Sequence, residues 1–129
     1  MTSQNIYETG LEKTAANFEA LTPLSFLARA ARAYPDYPAL IHGPLRQSWA
    51  QTEVRCRRLA SALRRRGIGE GDTVSIVAPN VPAMFEAHFG VPMSGAVLNT
   101  INTRLDAQSM AFIFQHAQSR VVLVDREFG

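Results

Sequence analysis

The chain has 129 residues, of which 47% are hydrophobic and 19% charged, as in an ordinary globular domain or a piece of a larger one. The formal net charge of +2 does not demand nucleic acid or an anionic membrane surface as a partner. The single cysteine, Cys56, excludes an internal disulfide, and no stretch approaches the ~20 apolar residues needed to cross a bilayer. The N-terminus also lacks the pattern of a secretory signal. We therefore expect a cytoplasmic protein without a membrane span.

The first predicted element is a helix that follows a polar arm. Residues 1–21 are polar and acidic-leaning, and we interpret them as an N-terminal arm. Thr22-Pro23 supplies an N-cap residue and then a proline at the first helical position. Apolar residues recur on one helix face at Leu24, Leu27, Ala28 and Ala31. The proline-rich run 34–38 ends this helix, because residues that precede proline avoid the α region.

A β-hairpin and a long amphipathic helix are predicted next. Residues 39–42 form a strand, Gly43-Pro44 marks a turn, and residues 46–49 form the returning strand. The long helix covers about 50–66, and its apolar stripe consists of Cys56, Leu59, Ala60 and Leu63. Gly67 is a natural C-terminal cap, and the arginines before it suit the negative end of the helix dipole.

Three apolar strands that alternate with two helices make up the second half of the chain. The strands are predicted over 73–78, 96–98 and 121–124. This β-α-β-α-β unit from 73 to 125 predicts an α/β fold, in which helices flank a parallel sheet with right-handed crossovers. The chain stops at Gly129, just after the last strand, where a covering helix is expected. We therefore expect an incomplete first subdomain of a larger fold.

The two helices of this unit have identifiable caps and faces. Asn80 is expected to cap the first helix, and Gly90 and Pro92 are expected to kink or shorten its last turns. The inner face of that helix is expected to consist of Val81, Met84, Phe85 and His88. Asp106 is expected to cap the second helix. The inner stripe of the second helix is expected to consist of Met110, Ile113, Phe114 and Ala117.

Some features that suggest chemistry have a simpler structural interpretation. The glycines of loop 67–71 could hold a phosphate, but this loop follows a helix and precedes a strand, the reverse of a dinucleotide loop, so a structural turn is favoured. Ser94 is not part of a GxSxG elbow, so a hydrolase triad is not indicated. The arginines of the long helix could face nucleic acid, but no aromatic residues alternate with them, so a solvated outer face is favoured. They are Arg55, Arg57, Arg58, Arg64, Arg65 and Arg66.

The histidines and the cysteine do not indicate a metal site. These candidate ligands lie on separate predicted elements, without the short-range pairing of zinc sites, at His42, Cys56, His88 and His116. For His88, which lies between Phe85 and Phe89, a hydrogen-bonded core histidine is favoured over a ligand contact.

The carboxyl ends of the predicted strands are the candidate edges of a ligand cleft. In a doubly wound sheet, ligands meet the strands at these ends. Here the ends are Pro79-Asn80, residues 99–102 and Asp125. Asp125 could contact a ribose, but without the glycine fingerprint a turn or cap role is preferred. These residues do not form a catalytic constellation.

Two segments of the chain resemble motifs of a known family. Residues 46–51 are similar to the first core motif of the adenylate-forming enzymes, with Ser48 in place of threonine and Gln51 in place of the acid. Residues 86–105 are similar to the second core motif. Their sequence is most similar to the form of this motif in AMP-forming acyl-CoA synthetases that act on fatty or other carboxylic acids. The resemblance extends from 22 to 125.

The resemblance implies a two-step ligase reaction that depends on ATP, Mg²⁺ and CoA. ATP and a carboxylic acid, expected to be a fatty acid, give an acyl-adenylate and pyrophosphate. The CoA thiolate then displaces AMP, and Mg²⁺ with a lysine would stabilise the developing phosphate charge. The family motifs for these steps lie beyond this chain. No catalytic, cofactor-binding or metal-binding residue is therefore assigned to it.

The resemblance thus describes residues 22–129 as the truncated N-terminal part of an AMP-binding domain, inactive by itself. Its expected partner is the remainder of the synthetase chain, with a homodimer as a further option and with no nucleic acid. The alternative is a free-standing, non-catalytic interaction or dimerisation module with the same fold.

Overall fold

The computed structural model describes Tyr7 and residues 10–128, and its elements follow the predicted order. In chain order they are α1 (Pro23–Ala33), β1 (Pro38–His42), β2 (Leu45–Ser48), α2 (Trp49–Arg65), β3 (Thr73–Val77), α3 (Pro82–Ser94), β4 (Val97–Ile101), α4 (Ala107–His116) and β5 (Ser119–Val124). A single 3-10 turn follows at Arg126–Phe128. The N-terminal arm expected over 1–21 lies outside the described residues at 1–6, 8 and 9. None of the described helices combines the length and apolar character that a membrane span requires.

The sheet of the second half has β3 at its centre. β4 and β5 pair with β3 on opposite sides, and both pairings are parallel. In register, Val74 lies beside Leu98 and Val121. These positions share one sheet face, and they belong to a core that also contains Ala87 and Val91 of α3. The predicted α/β fold, with a parallel sheet and flanking helices, is confirmed.

Helices α2 and α3 run side by side in the same direction. The guanidinium of Arg55 contacts Glu86 near the start of α3, and Arg64 reaches Ser94 at its end. Between these two contacts the helices approach closely at Gly90. A Cβ atom at Gly90 would lie 2.7 Å from Leu59 Cδ2. This glycine therefore sets the distance between the helices.

The helix caps agree with the predictions except at α3. Asp106 Oδ1 accepts from Ser109 N at 2.9 Å and caps α4 as expected. The hydroxyl and backbone of Ser48 form a capping box with Gln51 at the start of α2, a role that serine and glutamine fill as well as threonine and glutamate. The prediction for Asn80 is wrong. The helix starts at Pro82, so the cap position falls on Val81, which makes no side-chain cap hydrogen bond.

The end of α3 also differs from the prediction. The helix is not shortened at Gly90 or Pro92 but continues to Ser94. Pro92 removes one intrahelical N–H donor and its ring crowds the carbonyl four residues earlier, but the packing of this segment against α2 holds the helix together. The helix stops at Gly95, which has a φ of 95° that other residues rarely adopt.

The buried side of α3 is not the predicted one. Its buried residues are Glu86, Ala87, Gly90, Val91 and Ser94. Val81, Met84 and Phe85 are half-buried, and His88 is exposed. The prediction was wrong because the helix is apolar around most of its circumference, so periodicity cannot select one face. On α4, the predicted inner stripe is half-buried.

Candidate functional site

The carboxyl edge of the sheet carries a cavity of about 550 Å³. Asn80 lines it from the segment after β3, and residues 100–103 line it from the end of β4 and the segment that follows. His88 contributes from α3. Two of the three predicted cleft edges therefore meet here. Asn99 does not belong to it, because its side-chain Nδ2 donates to Ser75 Oγ at 2.9 Å within the sheet.

The third predicted edge, Asp125, lines a different cavity of about 610 Å³ between α2, α3 and β5. Its backbone N–H donates to Val77 O at 2.9 Å, and its Oδ1 accepts from Glu127 N at 3.1 Å. Asp125 thus caps the final 3-10 turn, which is the role preferred from the sequence. The rim of this cavity is cationic, since Arg58 and Arg126 line it.

A buried hydrogen-bonded network joins β2, α2 and α3 beside this second cavity. Glu86 is only 7% exposed, and its Oε1 accepts from Gln47 Nε2 at 3.0 Å and from Arg55 Nε. Gln47 Nε2 also donates to Thr52 Oγ1 at 2.9 Å, and the Thr52 hydroxyl donates to Ser48 O at 2.8 Å. Both N–H groups of the Gln47 amide are therefore used. In the described part of the chain, no buried side-chain nitrogen or oxygen lacks a partner.

The network connects the two motifs that carry the family resemblance. Gln47 lies in the first motif and Glu86 in the second, 39 positions apart in sequence. The burial of Glu86 was not predicted from the sequence. The available signal was one carboxylate inside the apolar run 81–93, which requires a buried partner.

The electrostatics of the network favour a structural role. The hydrogen bond to Glu86 and the negative charge of its carboxylate raise the pKa of Arg55 above its ordinary value. Arg55 therefore stays charged and cannot exchange a proton at any physiological pH. No nucleophile paired with a base is present among these groups, so the network holds elements together rather than performing chemistry.

The thiol of Cys56 lies next to the same network. Cys56 is fully buried on α2, and its Sγ lies 3.5 Å from Glu86 O. Burial, and secondarily the charge of Glu86, raises the pKa of this thiol to about 11. A thiol with this pKa is almost entirely protonated at neutral pH and is a poor nucleophile.

Cys56 is therefore expected to resist alkylation in the folded protein. At pH 8, iodoacetamide should modify it at least ~100-fold more slowly than in the urea-unfolded chain. Because the folded pKa is raised above the usual 9.0, the thiol contributes stability below pH 9 that is lost as the pH rises through about 11. Urea denaturation between pH 8 and pH 11 checks this, and a Cys56→Ala variant should lose this part of the pH dependence. Equal alkylation rates in the folded and unfolded states would contradict the burial of the thiol.

The six arginines of the long helix are exposed, but a solvated face does not describe all of them. Arg55 binds Glu86, as described above. Arg64 Nη2 donates to Met93 O at 2.9 Å, near the end of α3. The last carbonyls of a helix have no partner within the helix, so an arginine from the parallel neighbour satisfies them. These two residues are thus exposed as predicted, but each also binds α3, which the prediction did not include.

The glycine loop lies at the opposite edge of the sheet from the cavity of Asn80 and His88. Asp72 organises this loop, since its Oδ2 accepts from Gly69 N at 2.9 Å and its Oδ1 accepts from Arg120 Nη1 at 2.9 Å. These two hydrogen bonds lower the pKa of Asp72, and the one from Arg120 has the larger effect. The loop is thus a structural turn at the amino ends of the strands.

The histidines lie apart, and one of them differs from its prediction. His88 is exposed, and its Nδ1 lies 2.7 Å from Met84 O one turn earlier. The core assignment of His88 is wrong because the opposite side of α3 packs inward. Within residues 10–128, no three His, Cys, Asp or Glu side chains converge on a possible metal position.

Comparison with known proteins identifies what the chain resembles. The family model described as AMP-binding enzyme matches residues 27–128. A peroxisomal acetate/butyrate–CoA ligase of Arabidopsis thaliana is 59% identical over 118 residues, which are 92% of this chain and 21% of that protein. A peroxisomal trans-cinnamate:CoA ligase of Petunia hybrida is 50% identical over 118 residues, which are again 92% of this chain and 21% of that protein. The solved structure of a Mycobacterium tuberculosis fatty acyl CoA synthetase has a TM-score of 0.78 and 30% identity, covering 81% of this chain and 21% of that chain.

Two facts follow from these comparisons. The chain spans about a fifth of the length of the curated relatives that it matches. In addition, the cytoplasmic location expected from the sequence is wrong, because the plant relatives are named peroxisomal proteins. Net charge and the absence of a secretory pattern cannot distinguish the cytosol from the peroxisome, since both hold proteins without a secretory signal.

Proposed function

Because the chain belongs to the family of AMP-binding enzymes, we propose that it is the N-terminal segment of an ATP-dependent acyl-CoA ligase. In the reaction of such a ligase, the carboxylate of the acid attacks the α-phosphorus of ATP. Pyrophosphate leaves, and an acyl-adenylate forms. The thiolate of CoA then attacks the acyl carbon, and AMP leaves. The observation that carries the proposal is 59% identity over 92% of this chain to an acetate/butyrate–CoA ligase.

We further propose that the acid is short rather than a long-chain fatty acid. Identity is 59% to the relative named for acetate and butyrate, 50% to the relative named for cinnamate, and 30% to the fatty acyl CoA synthetase. The fatty acid expected from the sequence motif stays a prediction. A comparison of butyrate and palmitate as substrates of the full-length protein would test the proposed chain length.

The cavity at the carboxyl edge of the sheet does not fit ATP, Mg²⁺ or CoA on its own. The cavity that joins two predicted cleft edges contains Asn80, Asn102 and His88, but no lysine, arginine or carboxylate lines it. Triphosphate binding requires cationic side chains or a cradle of backbone N–H groups, and Mg²⁺ is held by carboxylates and phosphate oxygens. No step of the reaction is therefore assigned to the residues of this cavity, and we propose that they support the cleft.

The purified 129-residue chain is accordingly expected to show no ATP–pyrophosphate exchange with any carboxylic acid. The full-length ligase should exchange labelled pyrophosphate into ATP when butyrate is supplied, because that exchange reports the first half-reaction alone. Both proteins should be assayed at the same molar concentration, with a no-acid control. Exchange by the 129-residue chain would contradict its proposed inactivity. Failure of the full-length protein with short, aromatic and long acids would contradict the ligase itself.

A further inference from the structure

The positive charge of the chain is concentrated on its first two helices. Eight of the thirteen lysine and arginine residues are Arg29 and Arg32 on α1 and the six arginines that belong to α2 or, in the case of Arg66, follow its last residue. All eight are exposed, and Glu53 is the one acidic residue on these two helices. We name α1 and α2, together with Arg66, the α1–α2 layer. The net charge of +2 is thus the balance between this cationic layer and a remainder with more acidic than basic residues.

A groove of about 750 Å³ lies between the two helices of this layer, next to the end of α3. We name it the α1–α2 groove. It shares no lining residue with the cavity of Asn80 or with the cavity of Asp125. Its lining combines apolar side chains with three guanidinium groups, namely those of Leu24, Ala28, Met93, Arg57, Arg64 and Arg65.

Neutral acceptors hold two of these guanidinium groups in place. Arg64 Nη2 donates to Met93 O at 2.9 Å, and Arg65 Nη1 donates to Ser61 Oγ at 3.2 Å. A hydrogen bond to a carbonyl or a hydroxyl fixes the side chain but does not cancel its charge. Because a guanidinium has five N–H donors, each of the two arginines keeps donors for a further acceptor. The groove therefore presents two positioned positive charges.

The carboxylates around the groove compensate only part of its charge. Glu53 pairs with Arg57, and Glu19 lines the groove from the segment before α1. Phosphate complements the remaining charge, because arginine binds it through paired hydrogen bonds. The apolar part of the lining distinguishes among carriers of phosphate. A phospholipid places glycerol and acyl chains next to its phosphate, whereas a nucleic acid places a sugar there, so the phospholipid fits both parts of the groove.

Exposed apolar side chains on the same layer also favour a lipid surface. Val54 is 47% exposed on α2, about one turn before Arg57 and Arg58. Phe26 is 54% exposed on α1, and Leu21 is 82% exposed just before that helix. Apolar side chains that accompany arginines on a helical surface enter the boundary between headgroups and acyl chains.

We infer that the α1–α2 layer binds the surface of an anionic membrane and that the α1–α2 groove receives a phospholipid phosphate. A contact of this kind lies on the membrane and needs no helix that spans it. It depends on attraction between the exposed arginines and the negative surface potential of the lipid, so salt weakens it. The inference goes beyond the proposed ligase reaction and does not depend on it.

Co-sedimentation of the full-length protein with lipid vesicles tests this inference. One set of vesicles contains phosphatidylcholine alone, and the other contains phosphatidylcholine and phosphatidylserine in equal parts. At low salt, we expect binding to the anionic vesicles to be at least ~10-fold tighter than binding to the neutral ones. Salt at about 1 M should remove most of this binding, because the Debye length then falls to about 3 Å.

Two double variants with the same change in net charge locate the contact. Arg32→Gln/Arg65→Gln removes two exposed charges from the α1–α2 layer, and Arg46→Gln/Arg104→Gln removes two exposed charges outside it. The first variant should bind anionic vesicles at least ~10-fold more weakly than the natural protein, and the second should stay within about threefold. Urea denaturation checks that both are folded. Arg29→Gln/Arg58→Gln, also in the layer, should show the same loss and replaces the first variant if that one unfolds.

Four outcomes would overturn the inference. The first is equal binding to neutral and anionic vesicles, or binding to neither. The second is an equal loss of binding in the layer variant and in its control. The third is tighter binding to duplex DNA than to anionic vesicles at about 0.15 M ionic strength, since this would assign the layer to nucleic acid. The fourth is release from the vesicles by millimolar inorganic phosphate at constant ionic strength, since this would make the groove a site for a soluble phosphate.

Discussion

Replacing Gly90 with valine is expected to lower the free energy of unfolding by roughly 3 kcal/mol. A Cβ atom at this position would lie 2.7 Å from Leu59 Cδ2 and 3.0 Å from the carbonyl oxygen of Cys56. The Leu59 side chain can rotate, but the Cys56 carbonyl belongs to the backbone of α2 and cannot move alone. The two helices must therefore separate, and the core between them loses its packing. Urea denaturation followed by the fluorescence of Trp49, the single tryptophan of the chain, measures the change.

The control for this prediction is a second substitution on α2. Leu59→Ala removes the flexible part of the clash, so Gly90→Ala should cost less stability in the Leu59→Ala background than in the natural chain. Alanine is intrinsically more favourable than glycine in a helix by about 1 kcal/mol. Once the Leu59 side chain no longer clashes with the new Cβ atom, this preference should offset part of the cost of Gly90→Ala. Additive effects of Gly90→Ala and Leu59→Ala would show that the two residues do not share this contact.

The second large effect is expected from Arg55→Met, which should lower the free energy of unfolding by about 2 kcal/mol. Removing one partner of a buried ion pair typically costs about 3–5 kcal/mol because the other charge is left buried and unpaired. The side chain of Glu86 is 9% exposed, but that of Arg55 is 54% exposed, so water partly compensates and the smaller value applies.

Arg57→Met is the matched control for Arg55→Met. Arg57 lies on the same helix and pairs with Glu53 across one turn, but its side chain is 65% exposed. Such surface pairs contribute about 0.3–0.5 kcal/mol, so the two methionine variants should differ several-fold in their cost. In the double variant Arg55→Met/Glu86→Leu, no buried charge is left unpaired, so it should be less destabilised than the sum of its single changes. A cost of Arg55→Met equal to that of Arg57→Met would contradict the structural role of the network.

The elements whose sequence period or cap is distinct could be predicted from the sequence. The stripe of α2 at Cys56 and Leu63 recurs with helical spacing against a charged outer face, and both residues are buried. The cap of α4 at Asp106 and the strands around β3 were identifiable for similar local reasons. Local sequence signals suffice where the residues that interact with each other lie within one or two helical turns in the sequence.

The remaining features depend on contacts between distant residues. The pattern of α3 is apolar on both sides, so no local signal indicates that Ala87 packs inward while His88 faces outward. The partners of Glu86 lie 31 and 39 positions earlier in the chain, and only the folded arrangement brings them together. At the carboxyl edge of the sheet, the predicted strand ends correctly placed Asn80 beside a cavity. However, Asp125 lines another cavity, because β4 and β5 flank β3 on opposite sides.

The strand order β4-β3-β5 has a consequence for synthesis on the ribosome. Both neighbours of β3 come later in the sequence, so the central strand emerges before either of its hydrogen-bonding partners exists. β3 ends at Val77 and β5 at Val124, and 47 further residues must be added before the second pairing can form. At ~5–20 residues per second, the apolar side chains of β3 await that partner for about 2–10 s. During this interval the unpaired strand is a site for aggregation and for chaperone binding.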